Sequence, residues 1–169
     1  MEKEIKIYNY KLNELKTYLF VTLFVAGNII LPQLCHLIPN GGKIFLPIYF
    51  FTLIASYKYG MKVGLLTAVL SPIINAFLFG MPNLTIIPAI LTKSIVLAIA
   101  AASVSSKTQK VSLLTLLMVI MTYQIFGTLA EWIMTSSFYL AIQDFRLGIP
   151  GMILQLLGTY FILILSKEK

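Results

Sequence analysis

Long apolar segments, separated by short turns, make up most of this chain and limit the folds it can adopt. Of its 169 residues, 59% are hydrophobic and only 11% are charged. A water-soluble domain of this length cannot bury so much apolar surface. A helix of about 20 residues crosses the roughly 30 Å hydrocarbon layer of a membrane. The pattern therefore predicts an all-α integral membrane protein.

Turn signals divide the chain into six apolar segments. Gly, Pro and Asn cluster between them, for example at 39–42 and 81–83. We predict a single domain over residues 1–169, folded as a compact bundle of six transmembrane helices. The predicted helices cover about 17–38, 44–57, 62–80, 85–106, 111–135 and 147–166. The second of these is shorter than the usual transmembrane range.

The first sixteen residues differ from the rest in carrying mixed charges. They lack the apolar core and cleavage site of a secretory signal, so we expect 1–16 to remain as a cytoplasmic segment. Cys35 is the single cysteine, which excludes an internal disulfide. No Cys and His cluster has the spacing of a metal site, and we predict neither a metal nor a cofactor.

The basic residues predict the orientation, because Lys and Arg in short loops are retained on the cytoplasmic side of a membrane. Six spans place ten of the thirteen on one side, namely Lys3, Lys6, Lys11, Lys16, Lys58, Lys62, Lys107, Lys110, Lys167 and Lys169. Only Lys43 and Arg146 fall opposite, and Lys93 lies within the membrane. Both termini are therefore predicted to be cytoplasmic. The basic residues form no clustered face with aromatic platforms, which argues against nucleic-acid binding.

Polar side chains within the predicted helices gather in the outer half of the membrane. They are Gln33, His36, Asn75, Lys93, Glu131 and Gln155, with Gln124 nearer mid-depth. All seven prolines lie at or beyond the midplane on the same side, where irregular backbone requires surrounding protein or a watery cavity. These residues predict a substrate pocket that opens to the outside.

Lys93 and Glu131 are candidates for this site because charged groups inside a membrane need a partner or a cavity. They either pair with each other or contact a ligand. A Lys ammonium suits a ligand carboxylate or phosphate, and a Glu suits an amine or a protonated ring nitrogen.

The remaining candidates also have two interpretations each. His36 is either an interfacial histidine or a ligand contact. Trp132 and Tyr139 are either interfacial aromatics or a platform that stacks on a flat ligand ring under the following loop. We assign Asp144 and Arg146 to a solvated loop.

A run from Phe45 to Gly80, FLPIYFFTLIASYKYGMKVGLLTAVLSPIINAFLFG, ends helix 2 at a short Gly and Lys turn. It then begins helix 3 with a Gly-containing stretch that ends in Asn and Phe. Together with six helices, two cytoplasmic ends and an outward polar pocket, this run resembles the substrate-binding S components of energy-coupling factor (ECF) vitamin transporters.

The resemblance implies a non-enzymatic subunit in the plasma membrane of a prokaryote. Such a subunit captures a vitamin or related small heterocyclic micronutrient from outside with high affinity. It then docks on a transmembrane coupling subunit that two cytoplasmic ATPase subunits drive, and this chain has no GxxxxGK[ST] loop of its own. Family members dock through an Ala-x-x-x-Ala pattern on helix 1; the corresponding residues here are Thr22, in place of the first Ala, and Ala26, followed by Gly27.

Other classes of membrane protein fit the sequence less well. A channel or secondary carrier is expected to have polar residues through the full depth and often an inverted repeat, and neither is present. An enzyme needs a nucleophile with a base, for which His36 and Glu131 are a weak basis. A structural or assembly subunit of another membrane complex is the alternative.

Overall fold

The computed structural model of the chain describes residues 3–166. Its long helices are α1 (Leu15–Cys35), α3 (Phe50–Tyr59), α4 (Met61–Phe79), α5 (Ile87–Thr108), α6 (Leu113–Thr135) and α9 (Ile149–Leu165). The short ones are α2 (Gly41–Phe45), α7 (Phe138–Ala141) and α8 (Gln143–Leu147), with 3-10 turns at Pro47–Tyr49 and Leu84–Ile86. Two-residue strands β1 (Lys3–Glu4) and β2 (Lys110–Val111) pair antiparallel. The predicted all-α class is confirmed.

Five of the six predicted segments correspond to one long helix each, with ends that differ by at most three residues. The segment predicted as a continuous helix over 44–57 is instead divided into the end of α2, a 3-10 turn and α3. The division falls at Leu46, whose φ of 47° is left-handed. Pro47 explains this, because a proline disfavours the α conformation of the residue before it and has no N–H to donate.

Four helices in the described residues are long and apolar enough to cross a membrane: α1, α4, α6 and the helix over 84–108 that includes α5. The 17-residue α9 is a shorter apolar helix. These helices expose many large apolar side chains, such as Leu23, Phe126 and Ile133. A surface of this kind suits lipid rather than water, which supports a membrane protein.

Helix α3 occupies the centre of the bundle and packs against α1, α4, α5 and α9. Its residues from Thr52 to Lys58 are all buried. Gly64 on α4 allows the close approach, because a Cβ there would overlap Ser56. Protein therefore surrounds this short helix. Because α3 does not face lipid, it can be shorter than a helix that does.

One end of the bundle, called here the lysine-rich end, joins the N-terminal segment to three helix ends. The Tyr8 amide donates to the Lys58 carbonyl (2.8 Å), and the Lys58 ammonium donates to the Ser166 carbonyl (2.7 Å). Strand β1 pairs with β2 between α5 and α6. The two ends of the described chain therefore lie at the same end of the bundle.

Asn28 on α1, which is fully buried, connects three helices. Its amide nitrogen donates to Thr52 Oγ1 (3.0 Å) and Ser71 Oγ (3.1 Å), and its Oδ1 accepts from the Phe51 amide (3.2 Å). Amides in the first turn of a helix have no partner within it, so Asn28 satisfies one such amide of α3. Its carbonyl also accepts from Asn75 Nδ2 at 2.8 Å.

We expect Asn28→Ala to lower the free energy of unfolding by about 2–4 kcal/mol, since two buried hydrogen bonds and one partly buried hydrogen bond are lost and a void is left. SDS titration of the protein in mixed micelles measures this. Asn83→Ala is the control, because Asn83 is exposed and its hydrogen bonds are local. Equal losses for both variants would contradict the role of Asn28.

Candidate functional site

Three ionisable side chains from different helices meet at the end of the bundle opposite the lysine-rich end. Lys93 Nζ on α5 lies 2.5 Å from Glu131 Oε2 on α6 and 2.8 Å from Asp144 Oδ2 on α8. The exposed fractions of Lys93, Glu131 and Asp144 are 3%, 7% and 4%. We call these three residues the buried ion cluster.

The surface of α6 has a small residue where Lys93 crosses it. Gly127 lies one turn before Glu131 and on the same face. A Cβ at Gly127 would overlap the aliphatic chain of Lys93. The glycine therefore leaves room for the lysine side chain to lie across α6 and reach both carboxylates.

A cavity of about 370 Å³ opens beside the buried ion cluster. Its apolar wall includes Pro32, Leu46, Pro47, Ile48, Ile86 and Ile90. Its polar lining includes His36, Asn40, Lys43, Asn75, Asn83 and Gln143, besides the three residues of the cluster. His36, Asn40, Lys43 and Asn83 are exposed, so the cavity opens at this end of the bundle.

Asn75 on α4 is 1% exposed and lines the cavity. Its Nδ2 donates to the carbonyls of Asn28 (2.8 Å) and Ser71 (3.1 Å). Because both partners are acceptors, they fix which end of the amide is the nitrogen. In the described residues, Oδ1 has no donor.

Gln124 and Gln155, two of the predicted site residues, lie outside the cavity lining and belong to a second polar layer. Gln124 Nε2 donates to the Tyr123 hydroxyl (3.1 Å), which donates to Gln155 Oε1 (2.9 Å). Tyr123 packs against Tyr49, with ring centroids 5.2 Å apart, and Tyr49 lines the cavity. The two glutamines therefore support the floor of the cavity through these two rings.

Gln33, Trp132 and Tyr139 also lie outside the cavity lining. Gln33 is partly buried, and its Nε2 has no acceptor among the described residues. Trp132 is 46% exposed and makes an edge contact with Phe138. Tyr139 is 64% exposed and accommodates the Arg146 guanidinium 3.8 Å from its ring centroid. These three residues therefore do not contribute to the cavity that Lys93 and Glu131 line.

The interpretation of Asp144 as part of a solvated loop is wrong. The 136–146 segment contains α7 and most of α8, and α8 folds back so that Asp144 is buried against Lys93. Two carboxylates lower the cost of holding one ammonium away from water. The sequence gives no local signal of this burial, because Asp144 lies among the polar residues Gln143 and Arg146 as well as the apolar Ile142 and Phe145. Arg146 instead lies on the exposed side, at Tyr139.

Of the two interpretations of Lys93 and Glu131, the structure contains the mutual ion pair, and both residues also line the cavity.

The predicted docking residues lie elsewhere, on α1. Thr22 and Ala26 are exposed, whereas Gly27 is partly buried and faces the Phe51 ring, which lies 2.8 Å from the Cβ position of Gly27.

Comparison with the profiles of known protein families, with curated proteins and with solved structures gives no match to this chain.

We expect Lys93→Met to lower the free energy of unfolding by about 3–5 kcal/mol, because it leaves two buried carboxylates without a cation. Glu131→Gln should lower the free energy of unfolding by less, since Lys93 keeps its ion pair with Asp144. SDS unfolding in mixed micelles near neutral pH compares them. Lys62→Met is the matched control on an exposed lysine. If Lys93→Met lowered the free energy of unfolding by no more than this control, the stabilising role of the buried ion cluster would be contradicted.

Proposed function

We propose that this chain is the substrate-binding S component of an ECF-type transporter, which captures a vitamin or related small heterocyclic micronutrient from outside a prokaryotic cell. A transmembrane coupling subunit and two cytoplasmic ATPase subunits then drive uptake. The observation that carries the proposal is the 370 Å³ cavity with a buried ion cluster in its wall. A volume of this size lies within the range of pockets that enclose small organic ligands, roughly 300–1,000 Å³.

The composition of the cavity supports binding of a small, flat molecule. Although polar and apolar residues both line the cavity, most of the surface that they expose to it is apolar, and Tyr49 offers an aromatic ring. A few polar groups converge at one place, as in sites that fix the orientation of a ligand.

The packing below the cavity supports a closed binding site rather than a pore. Tyr57, Leu97, Leu116 and Ile120 are among the largest fully buried side chains of the bundle, and they fill its interior toward the lysine-rich end. A pore would require polar groups and water through this region. A molecule in the cavity would therefore need a movement of the whole subunit, or of its helices, to reach the other side.

We further propose that α1, α3, α4, α5, α6 and α9 each cross the membrane, with the lysine-rich end in the cytoplasm. The distribution of lysines supports this orientation by the positive-inside rule. Under it the cavity faces outward, as a subunit that captures a nutrient requires.

The purified protein is expected to bind a small heterocycle tightly without ATP and to retain it through purification. Mass spectrometry of copurified small molecules and thermal melts against a panel of micronutrients measure this. Failure to retain or bind any of them would contradict the transport role and favour a structural subunit.

Ala89→Phe is expected to weaken this binding by about tenfold or more, because the ring would occupy the volume of the ligand. Ala89 is buried and lines the cavity. Ile99→Phe on the same helix is the control, since Ile99 is 45% exposed and lies outside the cavity lining. Equal affinities of the two variants would exclude the cavity as the binding site.

Single cysteines introduced at Asn83 and Thr108, in a Cys35→Ser background, test the orientation. Both positions are exposed, and they lie at opposite ends of α5. A membrane-impermeant maleimide is expected to label Asn83→Cys in intact cells and Thr108→Cys only after permeabilisation. The reverse pattern would overturn the orientation, and labelling of both from outside would overturn the crossing of α5.

A further inference from the structure

The charges of the buried ion cluster do not cancel. Lys93 contributes one positive charge, and Glu131 and Asp144 contribute one negative charge each, which gives a net charge of −1 when all three are ionised. We propose that the cavity selects a small organic cation, such as an amine, an amidine or a protonated nitrogen heterocycle. This inference rests on the proposed binding function and narrows its substrate class.

Lys93 is already paired with the two carboxylates. Its ammonium lies within 2.8 Å of both Glu131 Oε2 and Asp144 Oδ2. An anionic ligand would have to approach Lys93 beside two carboxylates, and like charges at this range repel strongly in a poorly solvated site. The cluster therefore disfavours the carboxylate or phosphate that an isolated lysine would bind.

The two carboxylates, in contrast, still have acceptor positions that a hydrogen-bond donor can use. A carboxylate has two oxygens with about four acceptor positions. Lys93 contacts only one oxygen of each, and no other hydrogen bond to either carboxylate occurs in residues 3–166. Both residues line the cavity, so a ligand N–H group can supply what the protein does not.

Asn75 gives independent support for a donor ligand. Its Nδ2 is held by two carbonyl acceptors, so its Oδ1 is the group left for a partner, and this oxygen has no donor in the described part of the chain. Leaving a buried acceptor without a donor is energetically unfavourable. Asn75 lines the same cavity as the two carboxylates, so a ligand with more than one N–H group, such as a primary ammonium or an amidinium, brings several donors to an acceptor-rich lining.

Two other basic groups line the cavity, Lys43 and His36. Both are exposed at its mouth, where water and salt screen their charge. The charge inside the cavity is therefore set by the cluster. Its apolar wall raises the strength of each ion pair formed there.

Three probes that share one ring and differ in charge test this inference: benzamidine (cation), benzamide (neutral) and benzoate (anion). Their affinities for the purified full-length protein are measured by thermal melts and calorimetry in detergent. Benzamidine is expected to bind most tightly and benzoate most weakly. Equal or tighter binding of benzamide or benzoate, or no binding of benzamidine, would overturn the inference.

Charge-neutral variants locate the effect. Asp144→Asn and Glu131→Gln are each expected to weaken the binding of benzamidine by about tenfold or more, because each removes one charge-assisted contact. The affinity for benzamide is expected to stay unchanged. Using both keeps the test decisive if one fails to fold. Glu4→Gln is the control, because Glu4 is an exposed carboxylate at the lysine-rich end. An equal loss in the control would overturn the assignment to the cluster.

The micronutrient panel separates this inference from the proposed function. A tightly bound neutral or anionic micronutrient would overturn the cation preference and leave the transport role intact. Binding of benzamidine without any micronutrient would support the cation site and contradict the transport role.

Discussion

The contact between one buried ammonium and two buried carboxylates is the constraint on which the cavity end of this molecule depends. Charges in an apolar interior are tolerated only with partners at close range. Lys93, Glu131 and Asp144 come from α5, α6 and α8, so satisfying the lysine fixes the positions of three helices at once. The absence of a side chain at Gly127 makes this geometry possible, because a Cβ there would occupy the path of Lys93.

A second polar centre, formed by Asn28 and Asn75, lies next to the cavity. Asn28 joins α1 to α3 and α4, and its carbonyl holds the amide of Asn75. The short helix α3 depends on this contact, since Asn28 accepts the amide of Phe51 in its first turn. Two polar centres therefore hold the helices around the cavity: the ion cluster joins α5, α6 and α8, and the two asparagines join α1, α3 and α4.

Several parts of the site could be predicted from the sequence, and others could not. Lys93, Glu131 and Asn75 were identifiable because placing a polar group within a membrane costs free energy, so such residues usually mark a functional site. Trp132 had two interpretations, an interfacial aromatic or a stacking platform beside Glu131; because consecutive helical residues differ by about 100° in direction, Trp132 is 46% exposed and lies outside the cavity lining. Asp144 was missed because nothing local shows that α8 folds back over the bundle. The break at Leu46 was missed as well, although Pro47 provides a local reason for it.

The sequence by itself determined that the chain is helical and apolar on its surface, where five of the six long helices begin and end to within three residues, and which end collects the lysines. Hydrophobic length, turn residues and charge are local properties, so one sequence suffices to predict them. Tertiary structure alone decided which polar residues meet. Ion pairing and hydrogen bonding depend on distances of a few ångströms between residues far apart in the chain, such as the 2.8 Å between Lys93 and Asp144. For the same reason, the excess of one carboxylate in the buried ion cluster became apparent only once α8 had been placed.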